Sequence, residues 1–226
     1  MPTPRLPALL ALATLLAGCA TVPPGTYFPG LSDPDTQKVS HALYRAAQAA
    51  GDDPARYSFA LVMSQEAQAY SDRDATFYVT DGLARLPVPV VEAALAHEVA
   101  HEVLKHAEKR RRVWFSMSAG FAALGLAVPG AGFANLLVNP LVARAYSLKQ
   151  QKQADAKAVE ILRAMGYATP RRALATALRT IATFNKGARS TGSLLSPRLP
   201  LAERLAALEP PKPTSRLTRA SPHRMP

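Results

Sequence analysis

Cysteine is almost absent from this sequence of 226 residues, which contains one, at position 19. A single thiol excludes a disulfide within one molecule. Acidic residues are also scarce, with 16 Asp and Glu against 27 Lys and Arg, so the formal net charge is +11. This excess favours anionic lipid head groups or acidic polypeptides as partners. The basic residues are scattered along the chain, so nucleic acid is not an expected partner.

Charge is missing entirely from residues 113–143. The stretch is long enough to span a bilayer, but Pro129, Pro140 and several glycines argue against a continuous transmembrane helix. We therefore predict a helical hairpin formed by residues 114–128 and 133–144. The hairpin could cover the core, dip into a membrane or form one wall of a substrate cleft, and the sequence leaves these alternatives open.

The first 18 residues have the layout of a secretory signal peptide, with an apolar run over residues 6–16. This run is too short for an ordinary membrane span. Leu16-Ala17-Gly18-Cys19 is similar to the bacterial lipobox, so we expect cleavage before Cys19 and acylation of that residue, which would anchor the chain. In a Gram-negative bacterium, Ala rather than Asp at residue 20 implies the outer membrane, with the body of the protein in the periplasm.

The rest of the chain is expected to form a tether, one domain and a tail. Residues 19–34 are rich in Pro, Gly and Thr, which is typical of a tether. Residues 35–208 are sufficient for one domain with its own core. Residues 209–226 are Pro-rich and basic, and we expect them to be disordered.

Residue periodicity predicts an α+β domain that is mainly α-helical. One helix of this domain is expected to start near Pro87 or Pro89 and to run to about Arg112. The other predicted helices cover residues 37–50, 148–165, 170–185 and 201–208, and the predicted strands cover residues 57–63 and 75–80.

The most informative residues are His97-Glu98-Val99-Ala100-His101, inside the helix expected to start near Pro87 or Pro89. At about 100° per residue, positions four apart lie on one face of a helix, so both imidazoles can approach one ion. Zinc could take two ligands from this face, with Glu98 beside the attacking water as a general base. The pattern indicates a zinc peptidase.

Residues 35–208 resemble the zinc metallopeptidase family of the CAAX prenyl endopeptidases, HtpX and the BepA- and LoiP-like periplasmic peptidases. One matching block is the HExxH segment, followed by His106. Residue 106 would lie about 140° around a continuous helix from His101, so it is not predicted as a ligand. The resemblance implies a gluzincin-like domain with a small antiparallel sheet whose edge strand borders the active-site helix.

A second matching block runs from Phe77 to Leu83. The resemblance implies that its strand, with Thr76, Phe77, Tyr78 and Val79, is the edge strand that binds an extended peptide through backbone hydrogen bonds.

A third block, Ala154-Asp155-Ala156-Lys157, resembles the helix that supplies the third zinc ligand. The family has a glutamate four residues before the aspartate, where this sequence has Gln151. An amide carbonyl can coordinate zinc, but it is neutral and weaker than a carboxylate. The resemblance makes Asp155 the carboxylate that accepts a hydrogen bond from a ligand histidine.

Three outcomes remain open at the third-ligand position. Zinc is held by His97, His101 and Gln151, or another carboxylate such as Glu102 or Glu160 replaces Gln151, or the site has lost its metal. Helical phase places both glutamates away from the site, which favours Gln151.

A weaker fourth block is the Glu203-Arg204 pair that opens a terminal helix. Family members often have a His-Pro pair shortly before it, and Arg198 occupies the histidine position here. We expect Arg204 to be a structural ion-pair partner.

The leading hypothesis is a lipid-anchored, periplasm-facing zinc endopeptidase. Its substrates, implied by the resemblance alone, are misfolded or misassembled envelope proteins. The alternative is a catalytically weak or inactive homologue that binds unfolded envelope polypeptides as a chaperone-like lipoprotein. A membrane-embedded protease that acts through residues 113–143 is a third hypothesis.

Overall fold

A computed structural model describes residues 22–30, 32–71, 75–109, 111–112, 115–116, 135–187 and 200–209, with the side chains of 135–147 excluded. Several sequence predictions lie outside these residues. They concern the signal peptide, Cys19, most of the uncharged stretch, Arg198 and nearly all of the predicted tail.

The described residues form a mainly helical α+β fold, as predicted. The strands are β1 (Thr26–Tyr27), β2 (Ser58–Val62), β3 (Ala69–Ser71) and β4 (Thr76–Thr80), and a 3-10 turn covers Pro54–Arg56. The helices are α1 (Pro34–Ala49), α2 (Asp81–Ala84), α3 (Val88–Val103), α4 (Asn135–Ala164), α5 (Pro170–Gly187) and α6 (Leu201–Leu208).

The sheet has the strand order β1-β2-β4-β3. Strand β4 is parallel to β2 and antiparallel to β3, so the sheet is mixed and the prediction of an antiparallel sheet was wrong. Parallel pairing follows from the path of the chain, which leaves β2, forms β3 at the sheet edge and returns between them as β4. Strand β1 pairs with β2, so the segment predicted as a tether contributes a strand to the fold.

Helix α3 lies at the centre of the fold, where it contacts α1, α4, α5 and β3. Most of its apolar side chains are buried, and Val91, Leu95 and Val99 are completely buried. Burial on several sides explains why this helix is apolar almost all round. The histidine-bearing turn therefore belongs to a helix that packs against three other helices and the sheet.

A buried carboxylate on α3 connects three parts of the fold. Glu92 accepts hydrogen bonds from Arg45 of α1 and from the hydroxyl of Tyr167, which follows α4. Burial and the bond to Glu92 raise the pKa of Tyr167. Arg45 also donates to the carbonyl of Met165 at 2.8 Å. This cluster fixes α1 and the end of α4 against α3.

Helix α3 ends at Val103, earlier than predicted from the sequence. Lys105 has φ 53°, in the left-handed region, and the chain continues as a separate helical turn over residues 106–109. A left-handed residue cannot continue an α-helix. No glycine marks the break, so little in the sequence indicates it.

Helix α4 is one continuous helix of 30 residues, although separate helices were predicted to end near 144 and to begin at 148. Pro140 lies close to its start, where the missing N–H costs a single hydrogen bond. No glycine or proline lies between residues 144 and 148 to end the helix. Across the parts of the chain that the structure covers, no helix is long and apolar enough to cross a membrane.

Candidate active site

The structure brings His97, His101 and Gln151 together. The Nε2 atoms of His97 and His101 are 3.2 Å apart, and the Oε1 atom of Gln151 lies 3.1 Å from His97 Nε2. The two histidines come from one face of α3, and Gln151 comes from α4, which packs against it. Both imidazoles are more than nine-tenths buried. Three ligand-type atoms therefore converge on one small volume.

His97 is supported from behind by a carboxylate. Its Nδ1 atom lies 3.0 Å from Oδ1 of Asp155, one turn beyond Gln151 on α4. Arg204 of α6 donates two hydrogen bonds to the same carboxylate, at 2.9 Å from Nε and 2.5 Å from a terminal nitrogen. Arg204 thus pairs with a buried ion, as predicted from the sequence. The terminal helix is thereby connected to the site.

Asp155 is ionised near neutral pH because its contacts lower its pKa. Burial raises the pKa of this carboxyl. The interactions with His97 and Arg204 lower the pKa by more than burial raises it, so the net pKa is about 2. Because Nδ1 of His97 lies 3.0 Å from this anion, the proton of the neutral ring is favoured on Nδ1 and the lone pair on Nε2.

The Nε2 lone pair of His97 meets Oε1 of Gln151, which is also an acceptor. Acceptors that face each other repel unless a cation lies between them. At zinc–ligand distances of about 2.0–2.1 Å, tetrahedral ligand atoms are about 3.3 Å apart, close to the separations found here. The donor set therefore fits a zinc ion.

The other candidates for the third ligand are not placed for this role. Glu160 is exposed and pairs with Lys157 at 2.9 Å. Within the residues that the structure describes, no three His, Cys, Asp or Glu side chains form a metal-binding group. Neither Glu102 nor Glu160 completes a set with the two histidines. Gln151 is the candidate whose side-chain oxygen lies 3.1 Å from Nε2 of His97.

Glu98 faces the sheet from α3. Its carboxylate accepts a hydrogen bond from the backbone N–H of Ser71 at 3.2 Å. Ser71 ends β3, the terminal strand of the sheet on the side of α3. The predicted general base is thus fixed against a strand edge.

The edge strand beside the site is β3, whereas the sequence had assigned this role to Thr76, Phe77, Tyr78 and Val79 of β4. Strand β4 is interior, because it pairs with β2 on one side and β3 on the other. Phe77 and Val79 are completely buried. The prediction of a substrate strand at these residues was wrong, since β3 has only three residues and gives too short a pattern to recognise.

Strand β3 is held from two sides. The Asn185 side chain at the end of α5 accepts from the N–H of Ala67 at 2.7 Å and donates to its carbonyl at 3.1 Å. Thr80 N donates to the carbonyl of Gln68 at 3.0 Å. Since antiparallel ladders alternate, the backbone groups of Ala69 and Ser71 point away from β4, towards the open edge.

The fold and this arrangement define the class of metallopeptidases whose active-site helix carries two histidines and a glutamate. The family model described as Peptidase family M48 matches residues 32–212, and the chain belongs to this family of metallopeptidases. The match extends across α1 to α6, so it includes every site residue described above. A comparison with curated proteins finds no match.

Proposed function

We propose that this metallopeptidase is a zinc-dependent endopeptidase. The observation that carries the proposal is the convergence of His97 Nε2, His101 Nε2 and Gln151 Oε1 beside Glu98. These three residues would hold the metal. When bound, zinc polarises the scissile carbonyl and acidifies the attacking water.

A peptide would bind in extended form along β3. The outward backbone groups of Ala69 and the carbonyl of Ser71 can pair with a substrate strand without selecting its side chains, while the N–H of Ser71 donates to Glu98. Binding in the middle of a polypeptide, rather than at a terminus, follows from this mode. Such pairing places the peptide next to Glu98.

Glu98 acts as the general base. It accepts the proton of the attacking water and then delivers it to the leaving amine. The hydrogen bond from Ser71 N–H holds the carboxylate at the strand edge, close to the proposed peptide site. The same strand therefore positions both the base and the substrate.

The proposed setting is the bacterial envelope. A lipid on Cys19 would attach the protein to the outer membrane, with the domain in the periplasm. The substrates would be misfolded or misassembled envelope proteins, whose extended segments suit backbone recognition. Complete release from membranes on Cys19→Ser would support this setting and contradict a protease embedded through residues 113–143.

The test compares the full-length protein with Glu98→Gln on an unfolded protein substrate. We expect Glu98→Gln to lower kcat by at least about a hundredfold, because a general base typically contributes that much. Glu160→Gln is the matched control, since that carboxylate is exposed on α4 and outside the site. Equal turnover by the parent and Glu98→Gln would contradict the enzyme proposal.

A second candidate function is binding without cleavage. The observation that favours it is the neutral Gln151 at the ligand position, which weakens metal binding. The strand edge of β3 would then hold unfolded polypeptides as a chaperone does. This function predicts that Glu98→Gln still suppresses aggregation of an unfolded protein and that the parent does not cleave it.

A further inference from the structure

His106 is the most deeply buried histidine of the site, although no step of the proposed reaction uses it. Its side chain is 1% exposed, less than His97 at 8% or His101 at 7%. Its Nδ1 atom lies 3.0 Å from Nδ1 of His101, and the two rings meet edge to face with centroids 4.9 Å apart. It therefore contacts the side of His101 that faces away from the converging ligand atoms.

The chain reaches this position through the break after α3. Lys105 is left-handed, and this reverses the path so that residue 106 returns towards the helix face of His101. On a continuous helix, the two side chains would diverge. Gln150 of α4, 2% exposed, fixes the turn by donating from Nε2 to the carbonyl of His106 at 3.0 Å. Gln150 directly precedes the candidate ligand Gln151, so one turn of α4 contacts both sides of the site.

A hydrogen bond between two Nδ1 atoms requires one donor and one acceptor. If His106 donated, neutral His101 would carry its proton on Nε2, which faces His97. Such a proton would prevent His101 from binding a metal ion. If His101 donates, its lone pair lies on Nε2, beside the Nε2 of His97 and the amide of Gln151. Only the second arrangement is compatible with the site.

We propose that His106 is a positioning residue that accepts the Nδ1 proton of His101 and thereby holds the Nε2 lone pair of His101 towards the metal position. The inference rests on the proposed zinc site. His106 would accept the Nδ1 proton of His101, as Asp155 would accept that of His97. Here the acceptor is a neutral imidazole, supplied by the turn that follows the HExxH helix.

Two substitutions separate hydrogen bonding from packing. His106→Asn retains an acceptor, because the Asn Oδ1 atom can occupy the place of Nδ1, but it leaves part of the ring volume empty. His106→Leu fills more of that volume but cannot accept a hydrogen bond. A packing role predicts that Leu is tolerated better than Asn. A positioning role predicts the opposite order.

The first measurement reads the Nδ1 proton of His101 in the zinc-bound, full-length protein by nitrogen NMR of labelled histidine. Only five histidines are present, which makes the spectrum assignable. With Nε2 on the metal, we expect the Nδ1 proton on His101 and nitrogen–nitrogen coupling to Nδ1 of His106 in the parent, with faster exchange of that proton in His106→Leu but not in His106→Asn. Absence of the coupling in the parent would overturn the proposal.

The second measurement is the affinity for zinc alone, by competition with a chelator. We expect His106→Leu to bind zinc at least about tenfold more weakly, and His106→Asn to stay within about threefold of the parent, because partners behind a ligand typically contribute about 10–100-fold to affinity. His41→Leu, on the exposed face of α1, is the control. Equal affinities for the Leu and Asn variants, or a weaker Asn variant, would overturn the proposal. Neither measurement depends on proteolysis, so failure of the peptidase proposal is distinguishable from failure of this one.

Discussion

His97 and His101 lie one turn apart on the same face of α3, but the groups that contact the other side of each ring differ in charge. Behind His97 lies a charged pair that comes from distant parts of the chain, Asp155 on α4 and Arg204 on α6. Behind His101 lies His106, from the next turn of the same segment. A carboxylate fixes the tautomer and also increases the basicity of the ligand ring, whereas a neutral imidazole only fixes the tautomer.

The difference matters because the three candidate ligands carry no charge. The carboxylate in contact with one of these ligands is Asp155, beside His97, and Arg204 partly neutralises its charge. The site is therefore asymmetric, with its charge compensation on the His97 side. The largest effects should follow from changes on that side.

Asp155→Asn should have the largest effect on metal binding. Asn retains an acceptor for His97 but removes the charge, so we expect zinc to bind about 10–100-fold more weakly. The matched substitution on the other side, His106→Asn, should have little effect, because no charge is lost there. Zinc competition on both variants measures the contrast.

The guanidinium left without its carboxylate is the main complication in this comparison. Arg204→Met in the Asp155→Asn background removes that buried charge, so it should recover thermal stability without recovering zinc affinity. Recovery of both would mean that Asp155 acts only through the packing of α6. A similar loss in Asp155→Asn and His106→Asn would show that charge does not distinguish the two sides.

Gln151→Glu should have the next largest effect, in the opposite direction. A carboxylate ligand lowers the net charge around the metal and is a stronger donor than an amide, so zinc should bind at least about tenfold more tightly. The metal content of the purified parent and variant, by elemental mass spectrometry, gives the first reading. Near-stoichiometric zinc in the parent would support Gln151 as a working ligand.

The same substitution tests why the asymmetry matters. With an anionic third ligand, the site relies less on Asp155, so Asp155→Asn should cost less affinity in the Gln151→Glu background than in the parent. Gln153→Glu, on an exposed position of α4, is a control for added negative charge on that helix. An equal loss of zinc affinity in both backgrounds would mean that the carboxylates at positions 151 and 155 neutralise the charge of the metal independently of each other.

The sequence revealed the His97 side of this comparison but missed most of the His101 side. Helical spacing placed His97 with His101 and Gln151 with Asp155, because residues four apart share a face, and the family resemblance implied the roles of Gln151 and Asp155. The position of His106 depends on a helix break at Lys105, a residue type that rarely adopts positive φ, so the periodic pattern continued past it.

The sheet shows the same limit of prediction. Strands β2 and β4 were predicted close to their observed bounds, because five residues give a recognisable pattern. Which of them lies at an edge depends on β1 and β3, which have two and three residues. Strands this short are specified by contacts from elsewhere, such as the bond between Asn185 and Ala67, rather than by local propensity.

Lys105→Gly should have the smallest effect, confined to the His101 side. A non-glycine residue in the left-handed region costs roughly 1–2 kcal/mol, which glycine relieves at some cost in the entropy of the unfolded chain. We expect the free energy of unfolding to rise by up to about 1 kcal/mol, with the zinc affinity unchanged. Chemical denaturation of the metal-free protein measures the change.

Lys105→Val is the opposing variant, because a β-branched residue tolerates positive φ poorly. It should destabilise the turn, release the hydrogen bond between His106 and His101, and lower zinc affinity, while the His97 tautomer stays as in the parent because Asp155 is untouched. If Lys105→Val disturbed both histidines equally, the two supports would be one cooperative unit. Separate responses would establish that each ligand histidine is held by its own network, one built by tertiary contacts and the other by a local turn.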